Sequence, residues 1–225
     1  MIEFEPKYLT FDMHGTLIRW HITDLTRELL ADIVPGDRMD EVLRSFKWQR
    51  LDEVLNPWKP FPDIIHDSLR KTLERFGLPY RKADSQAIVD AIPTWGPYPE
   101  VPEALRTLAS RYPLVILSNA ADDQVMSNVE KLGAPFHAVY TAEQAQAYKP
   151  RYQAFEYLLN QLGCGPKDIL HISASPRYDL MAANDLGITH KVHVNRGFEP
   201  STPGYGYHEV ELLSQIPPLL GIRAS

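Results

Sequence analysis

Between residues 101 and 195 the chain repeats one alternation: an amphipathic helical stretch, then a short apolar run. The runs are "LVILSN" (114–119), "HAVYTA" (137–142), "DILHIS" (168–173) and "HKVHVN" (190–195), with a further one at 9–11 near the start. Between them, "VPEALRTLASRY" (101–112) sets Val101, Leu105, Leu108 and Tyr112 on one face. "RYQAFEYLLNQLG" (151–163) aligns Phe155, Leu158, Leu159 and Leu162, and "DQVMSNVEKLG" (123–133) ends on glycine as helices do. "DLMAANDLG" (179–187) reads as a fourth helix. Short apolar strands separated by helices cannot close as hairpins. They require a parallel sheet covered on both faces, so the fold class is α/β, a Rossmann-like doubly wound sheet.

The alternation fails from about residue 20 to 95. There the chain reads as consecutive helices, "DLTRELLADIV", "RMDEVLRSFKWQRLDEVL", "DIIHDSLRKTLERFG" and "SQAIVDAI", joined by proline-rich breaks such as "NPWKPFP". The expected organisation is a core of residues 1–18 and 96–225, interrupted after its first strand by a helical domain of residues 19–95. The stretch 195–210, "NRGFEPSTPGYGYHEV", reads as a turn-rich surface tail.

In open α/β sheets ligands bind outside the carboxyl ends of the strands, and each strand here carries chemistry at that end. The first gives Asp12, then Gly15 for a tight turn and the Thr16 hydroxyl. The second gives Ser118 and Asn119 ahead of a helix N-terminus, where free N–H groups suit an anion. The third leads to Lys149, read as lying near the sheet edge, and the fourth to Asp179. Taken singly, these are turn, cap and surface residues. Their order on successive strand ends makes them a site. The net charge of −6 and the lack of a basic cluster exclude a phosphate-backbone binder. A single cysteine, Cys164, excludes an internal disulfide or a cysteine-based metal site. No signal pattern and no membrane-length apolar run stand out, so a cytoplasmic protein with no membrane or nucleic-acid partner is expected.

The motifs "FDMHGTL", "ILSN", "YKP" and "SASPRYD", with helices inserted after the first strand, resemble the haloacid dehalogenase (HAD) superfamily over about residues 8–197. "LTFDMHGTLIRW" and "WGPYPEVPEALRTL" are most similar to its L-2-haloacid dehalogenase branch. The resemblance implies a helical cap and an aspartyl-ester mechanism. Asp12 is the nucleophile, Lys149 lowers its pKa, Thr16 orients it and Asp179 activates water. Ser118 and Asn119 bind the carboxylate of a small acid, with Lys47, Trp48 and Arg50 as cap candidates. The branch's tyrosine is replaced by His14, which titrates near neutrality and is read as an acid for an oxygen or nitrogen leaving group. Phe155, Ala174 and Pro176 also depart from the branch. No cofactor is expected. The alternatives are a Mg²⁺-dependent phosphatase, with the metal on Asp12, the His14 carbonyl and Asp179, and a catalytically silent binding protein. Homodimerisation is left open. His190 and His193 fall on opposite strand faces and share no metal, and His137, His171 and His208 have no evident partner.

Overall fold

The apolar runs form one six-stranded sheet in a computed structural model that describes residues 3–222. The strands are β1 (Tyr8–Phe11), β2 (Leu114–Ser118), β3 (Ala138–Thr141), β4 (Ile169–Ser173), β5 (His190–Val194) and β6 (His208–Val210). Their order is β3-β2-β1-β4-β5-β6, and every pairing is parallel. The fold is thus the α/β class expected, with helices on both sides of the sheet. All five residues of β2 and of β4 are buried, as strands covered on both faces must be. The chain leaves β1 toward β2 on one side and returns to β4 on the other. The C-terminal end of β1 is therefore the switch point at which such sheets open a crevice.

The chain divides into two compact units, one running up to Arg19 and resuming at Gly96, the other Trp20–Trp95. The second unit holds α1 (Ile22–Leu29), α2 (Met39–Leu55), α3 (Phe61–Arg75) and α4 (Lys82–Ala91). α1 stops five residues short of the reading at Val34, because the chain turns before Pro35. In the core unit, α5 (Val101–Ala109) precedes β2, and α6 (Asp122–Lys131) follows it. α7 (Ala142–Ala145) and α8 (Tyr152–Leu162) lie between β3 and β4, and α9 (Met181–Asp185) between β4 and β5. α8 ends on Gly163 at φ +61°, the left-handed cap glycine allows. Its Phe155, Leu158 and Leu159 pack with Val115, Leu117, Ile169 and Ile188. Arg19 N–H donates to the Gly96 carbonyl at 3.0 Å and Tyr98 N–H to Leu17 at 3.1 Å, so the core unit stitches together the points where the chain leaves and re-enters it.

Two readings need correction. β6 lies in the stretch read as a surface tail. It is a three-residue edge strand with only Val210 buried, too short and polar to show a period. The helix expected from Asp179 begins instead as a wide turn over Pro176–Leu180, where both Asp179 N–H and Leu180 N–H reach back to the Ser175 carbonyl at 3.2 Å. Among the described residues no helix is long and apolar enough to cross a membrane.

Candidate active site

β1 is extended by one hydrogen bond beyond its last residue, Asp12 N–H to the Ile172 carbonyl at 3.0 Å, which fixes where Asp12 leaves the sheet. The chain then reverses tightly. Gly15 adopts φ +90°, and the N–H groups of Thr16, Leu17 and Ile18 all point to the Met13 carbonyl. The reversal brings Thr16 back to Asp12, where Thr16 Oγ1 donates to Asp12 Oδ2 at 2.6 Å. Ala174 N–H donates to Thr16 Oγ1 at 2.8 Å, tying the loop after β4 to the loop after β1.

Lys149 is where the site converges. It follows the edge strand β3 in sequence, yet its side chain is 1% exposed and its ammonium sits at the middle of the sheet, not at the edge. Nζ donates to Asp12 Oδ1 at 2.8 Å and to Asp179 Oδ1 at 2.7 Å. Asn119 holds the lysine's backbone from both sides: its Nδ2 donates to the Lys149 carbonyl at 2.9 Å, and its Oδ1 accepts from Lys149 N–H at 2.8 Å. This uses one N–H and the oxygen of the Asn119 amide for positioning Lys149 and leaves the second N–H for a further acceptor. Ser118 Oγ accepts from Ala120 N–H at 3.3 Å.

One ammonium serving two buried acids cannot satisfy both equally. Burial pushes the Asp12 carboxyl up, and the negative Asp179 adds to it. Lys149 and the Thr16 hydroxyl pull the other way without reversing the shift. Lys149 therefore lowers the Asp12 pKa, as expected, but does not bring it below the ordinary value. Asp179 is buried too, yet Lys149 and His171 together hold it below the usual carboxylate range. Burial opposes the charge on Lys149, and its two carboxylates outweigh burial.

His14 faces α6. Its Nε2 lies 3.1 Å from Oδ1 of Asn128 on α6, and burial, aided by the charge of Lys149, lowers its pKa to about 4. The ring is neutral at physiological pH and donates Nε2–H to the amide oxygen. The acid role would need a second proton on the ring, and burial disfavours it.

Three residues in the site escaped the sequence reading. His171 on β4 bridges Thr10 and Asp179, with Nδ1 2.9 Å from Thr10 Oγ1 and Nε2 2.9 Å from Asp179 Oδ1. Its signal was a lone polar residue inside an apolar run. Asn128, fully buried on α6, had no signal beyond a polar residue in a helix. Arg196, in the supposed surface tail, has a side chain only 6% exposed. It donates to the Thr16 carbonyl at 3.1 Å and to Glu100 at 2.7 Å, with its guanidinium 3.8 Å from the Tyr98 ring centre. Lys47, Trp48 and Arg50 lie on α2 in the helical unit. There the Lys47 ammonium sits 4.8 Å from the Trp48 ring, and the Arg50 guanidinium 4.8 Å from the Phe46 ring.

Mg²⁺ takes near-octahedral oxygen coordination, and between Asp12 and Asp179 the position nearest both carboxylates is held by the Lys149 ammonium. Both Asp12 oxygens are bonded, to Lys149 and Thr16, and Asp179 Oδ1 takes Lys149 and His171. The His14 imidazole is turned to Asn128, so only the backbone carbonyl of that residue could serve a cation. Among the described residues no cluster of three or more His, Cys, Asp or Glu is placed to hold a metal. Asp179 Oδ2 is the one buried carboxylate oxygen of the set without a partner.

Comparison with known proteins places these motifs in context. A family profile described as haloacid dehalogenase-like hydrolase matches residues 6–187. The chain is 26% identical over 223 residues to (S)-2-haloacid dehalogenase 4A of Burkholderia cepacia, covering 93% of each chain. It is 27% identical over 189 residues to the (S)-2-haloacid dehalogenase of a Pseudomonas species, strain YL, covering 80% of this chain and 79% of that one. The crystal structure of a dehalogenase with an intermediate complex superposes with a TM-score of 0.81 at 21% identity, over 99% of this chain and 100% of the other. That likeness is one of fold.

Proposed function

The chain belongs to the haloacid dehalogenase-like hydrolase family, and from that premise we propose that it hydrolyses the carbon–halogen bond of a small 2-halo acid through an ester on Asp12. The observation that carries this reading is one lysine ammonium shared by two buried carboxylates, with a single carboxylate oxygen left over. Asp12, held by Lys149 and Thr16, is aimed at a substrate rather than free to rotate.

In the first step an Asp12 oxygen forms a bond to the substrate's α-carbon as the carbon–halogen bond breaks, and halide leaves with the bonding pair. No proton donor is needed, in keeping with a neutral His14. In the second step a water oxygen adds to the Asp12 carbonyl carbon and gives a proton to Asp179 Oδ2. Collapse of the adduct breaks the ester bond, the departing alkoxide takes that proton back, and the regenerated Asp12 acid releases its own to solvent. Ser118 and the backbone N–H groups that follow it receive the substrate carboxylate. The phosphatase alternative is not favoured, because phosphoryl transfer relies on a metal to neutralise phosphate charge, and here the Lys149 ammonium lies between Asp12 and Asp179.

The test is a single turnover of each 2-chloropropionate enantiomer in heavy-oxygen water. The expected result is chloride release with one heavy oxygen in Asp12 and none in the product. Label appearing only in the hydroxy acid would sink the ester route. Absence of chloride release with either enantiomer would sink the substrate class.

A further inference from the structure

We propose that His171 is a positioning residue of the hydrolytic step: by occupying Asp179 Oδ1 it leaves Oδ2 as the oxygen that takes the proton of the attacking water. The inference rests on the function proposed above and concerns a residue to which that function gives no role.

The geometry comes from strand register. Thr10 of β1 lies opposite His171 of β4, so both side chains project from the same face of the sheet. Thr10, His171 and Asp179 are all essentially inaccessible to solvent. An ionised carboxylate only accepts hydrogen bonds, so His171 Nε2 carries the hydrogen that goes to Asp179 Oδ1 at 2.9 Å. With the hydrogen on Nε2, Nδ1 is left to accept, and the Thr10 hydroxyl, 2.9 Å away, supplies the donor. The hydroxyl's other acceptor, the Leu170 carbonyl, lies at 3.5 Å and competes weakly. The ring of Phe155 meets the imidazole edge-on at 5.4 Å between centres.

The consequence falls on Asp179. Its carboxylate sits in the wide turn after β4 and would present either oxygen by rotating about its last bond. Two donors reach the same oxygen from different elements, Lys149 from the loop after α7 and His171 from the strand. Together they fix Oδ1 on Lys149 and His171 and leave Oδ2 as the buried oxygen with no partner of its own. Without His171, Lys149 alone cannot stop the carboxylate from turning.

The experiment separates the two halves of the reaction. Wild type and His171→Phe are mixed with 2-chloropropionate, and free chloride and the intact mass of the protein are followed in time. The expected result for His171→Phe is one fast equivalent of chloride, then accumulation of the ester-bearing mass. Its decay should be slower by on the order of ten- to hundredfold, the range for a lost hydrogen bond to a charged group. His171→Gln, which keeps an N–H donor of similar reach, should restore most of the rate. His171→Asn, whose amide stops short, should not. Ester decay at the wild-type rate in the Phe variant overturns the proposal, as does equal slowing of ester formation and decay. If the Phe variant does not fold, equal decay rates in the Gln and Asn variants overturn it instead. A wild type that releases no chloride refutes the proposed function, and this is read from the wild-type trace alone.

Discussion

The lowered pKa of His14 makes stability depend on pH in a way that one substitution isolates. The imidazole falls from 6.5 to about 4 on folding, because burial disfavours its charged form. A histidine depressed in the folded state favours folding while it is neutral in both states, above about pH 6.5. As pH falls below that value the unfolded chain takes up the proton first, and the advantage drains away until the folded ring protonates too. At about pH 4.5 the linkage relation gives a loss of about 2.5 kcal/mol from this residue alone. The ring is only partly shielded from solvent, so the figure is an upper value. His14→Gln removes the titration and keeps an amide able to bond Asn128 Oδ1. Urea unfolding of both proteins, at about pH 7.5 and about pH 4.5, gives the difference directly. Carboxylates such as Asp179 contribute to both proteins and cancel. Wild type should lose about 2 kcal/mol more than the variant between the two conditions. Equal losses would mean that His14 titrates at its ordinary value, and the argument against its acid role would fall.

Asp12 must be ionised to attack, and its pKa is pushed up, so kcat/KM should rise with pH through a limb above the ordinary aspartate range; a limb at the usual carboxylate value in the pH–rate profile would contradict this. Lys149→Met leaves two buried acids without their cation, and urea unfolding at neutral pH should show a loss of about 3–5 kcal/mol that shrinks on acidification, with no chloride release at any pH. Chelator treatment should leave the rate of chloride release unchanged, because the proposed displacement at carbon has no phosphate charge for a metal to neutralise; loss of activity restored by Mg²⁺ would refute this. Arg196→Ala removes the donor that bonds both the Thr16 carbonyl and Glu100, and should cost about 2–3 kcal/mol in urea unfolding together with a lower kcat at unchanged KM.

The parts of this molecule that were legible in its sequence are those fixed by local periodicity. The apolar runs gave β1 to β5, and the parallel sheet followed from the helices between them. Asp12, Thr16, Lys149 and Asp179 were legible because the ends of parallel strands meet at one edge. Details set by pairing across the sheet were hidden. His171 looked partnerless because its partners, Thr10 and Asp179, are defined by strand register and by a wide turn, neither of which has a sequence period. β6 and Arg196 were lost for a related reason: an edge strand that pairs only with β5 needs no apolar alternation, and a buried arginine is indistinguishable in sequence from a solvated one. The sign of the Asp12 shift was hidden as well, since it depends on how fully the acid is buried and on the neighbouring Asp179.

Asp12 and Asp179 share one lysine, yet their pKa values move in opposite directions, and this asymmetry suits two successive steps. As two strongly coupled acids they titrate as a pair, and the second donor on each decides which holds the charge more firmly. Thr16 bonds Asp12 as a neutral hydroxyl, whereas His171 and Lys149 act together on Asp179. Asp12 is thus the less stabilised anion, and so the better nucleophile. In the proposed reaction, ester formation then removes its charge. If Oδ2 is the attacking atom, Oδ1 becomes the ester carbonyl oxygen, and it already accepts from Lys149 at 2.8 Å. When water adds, negative charge builds on that oxygen and draws the ammonium away from Asp179, as an oxyanion site requires. An acid held firmly ionised is a weak base while Lys149 is beside it; it strengthens when the lysine's attention shifts to the oxyanion. Attack by Oδ1 would leave only the Thr16 hydroxyl on the carbonyl and forgo this exchange. The lysine between the two acids therefore favours Oδ2 as the nucleophilic oxygen, and ties the gain in basicity of Asp179 to the moment when water attacks.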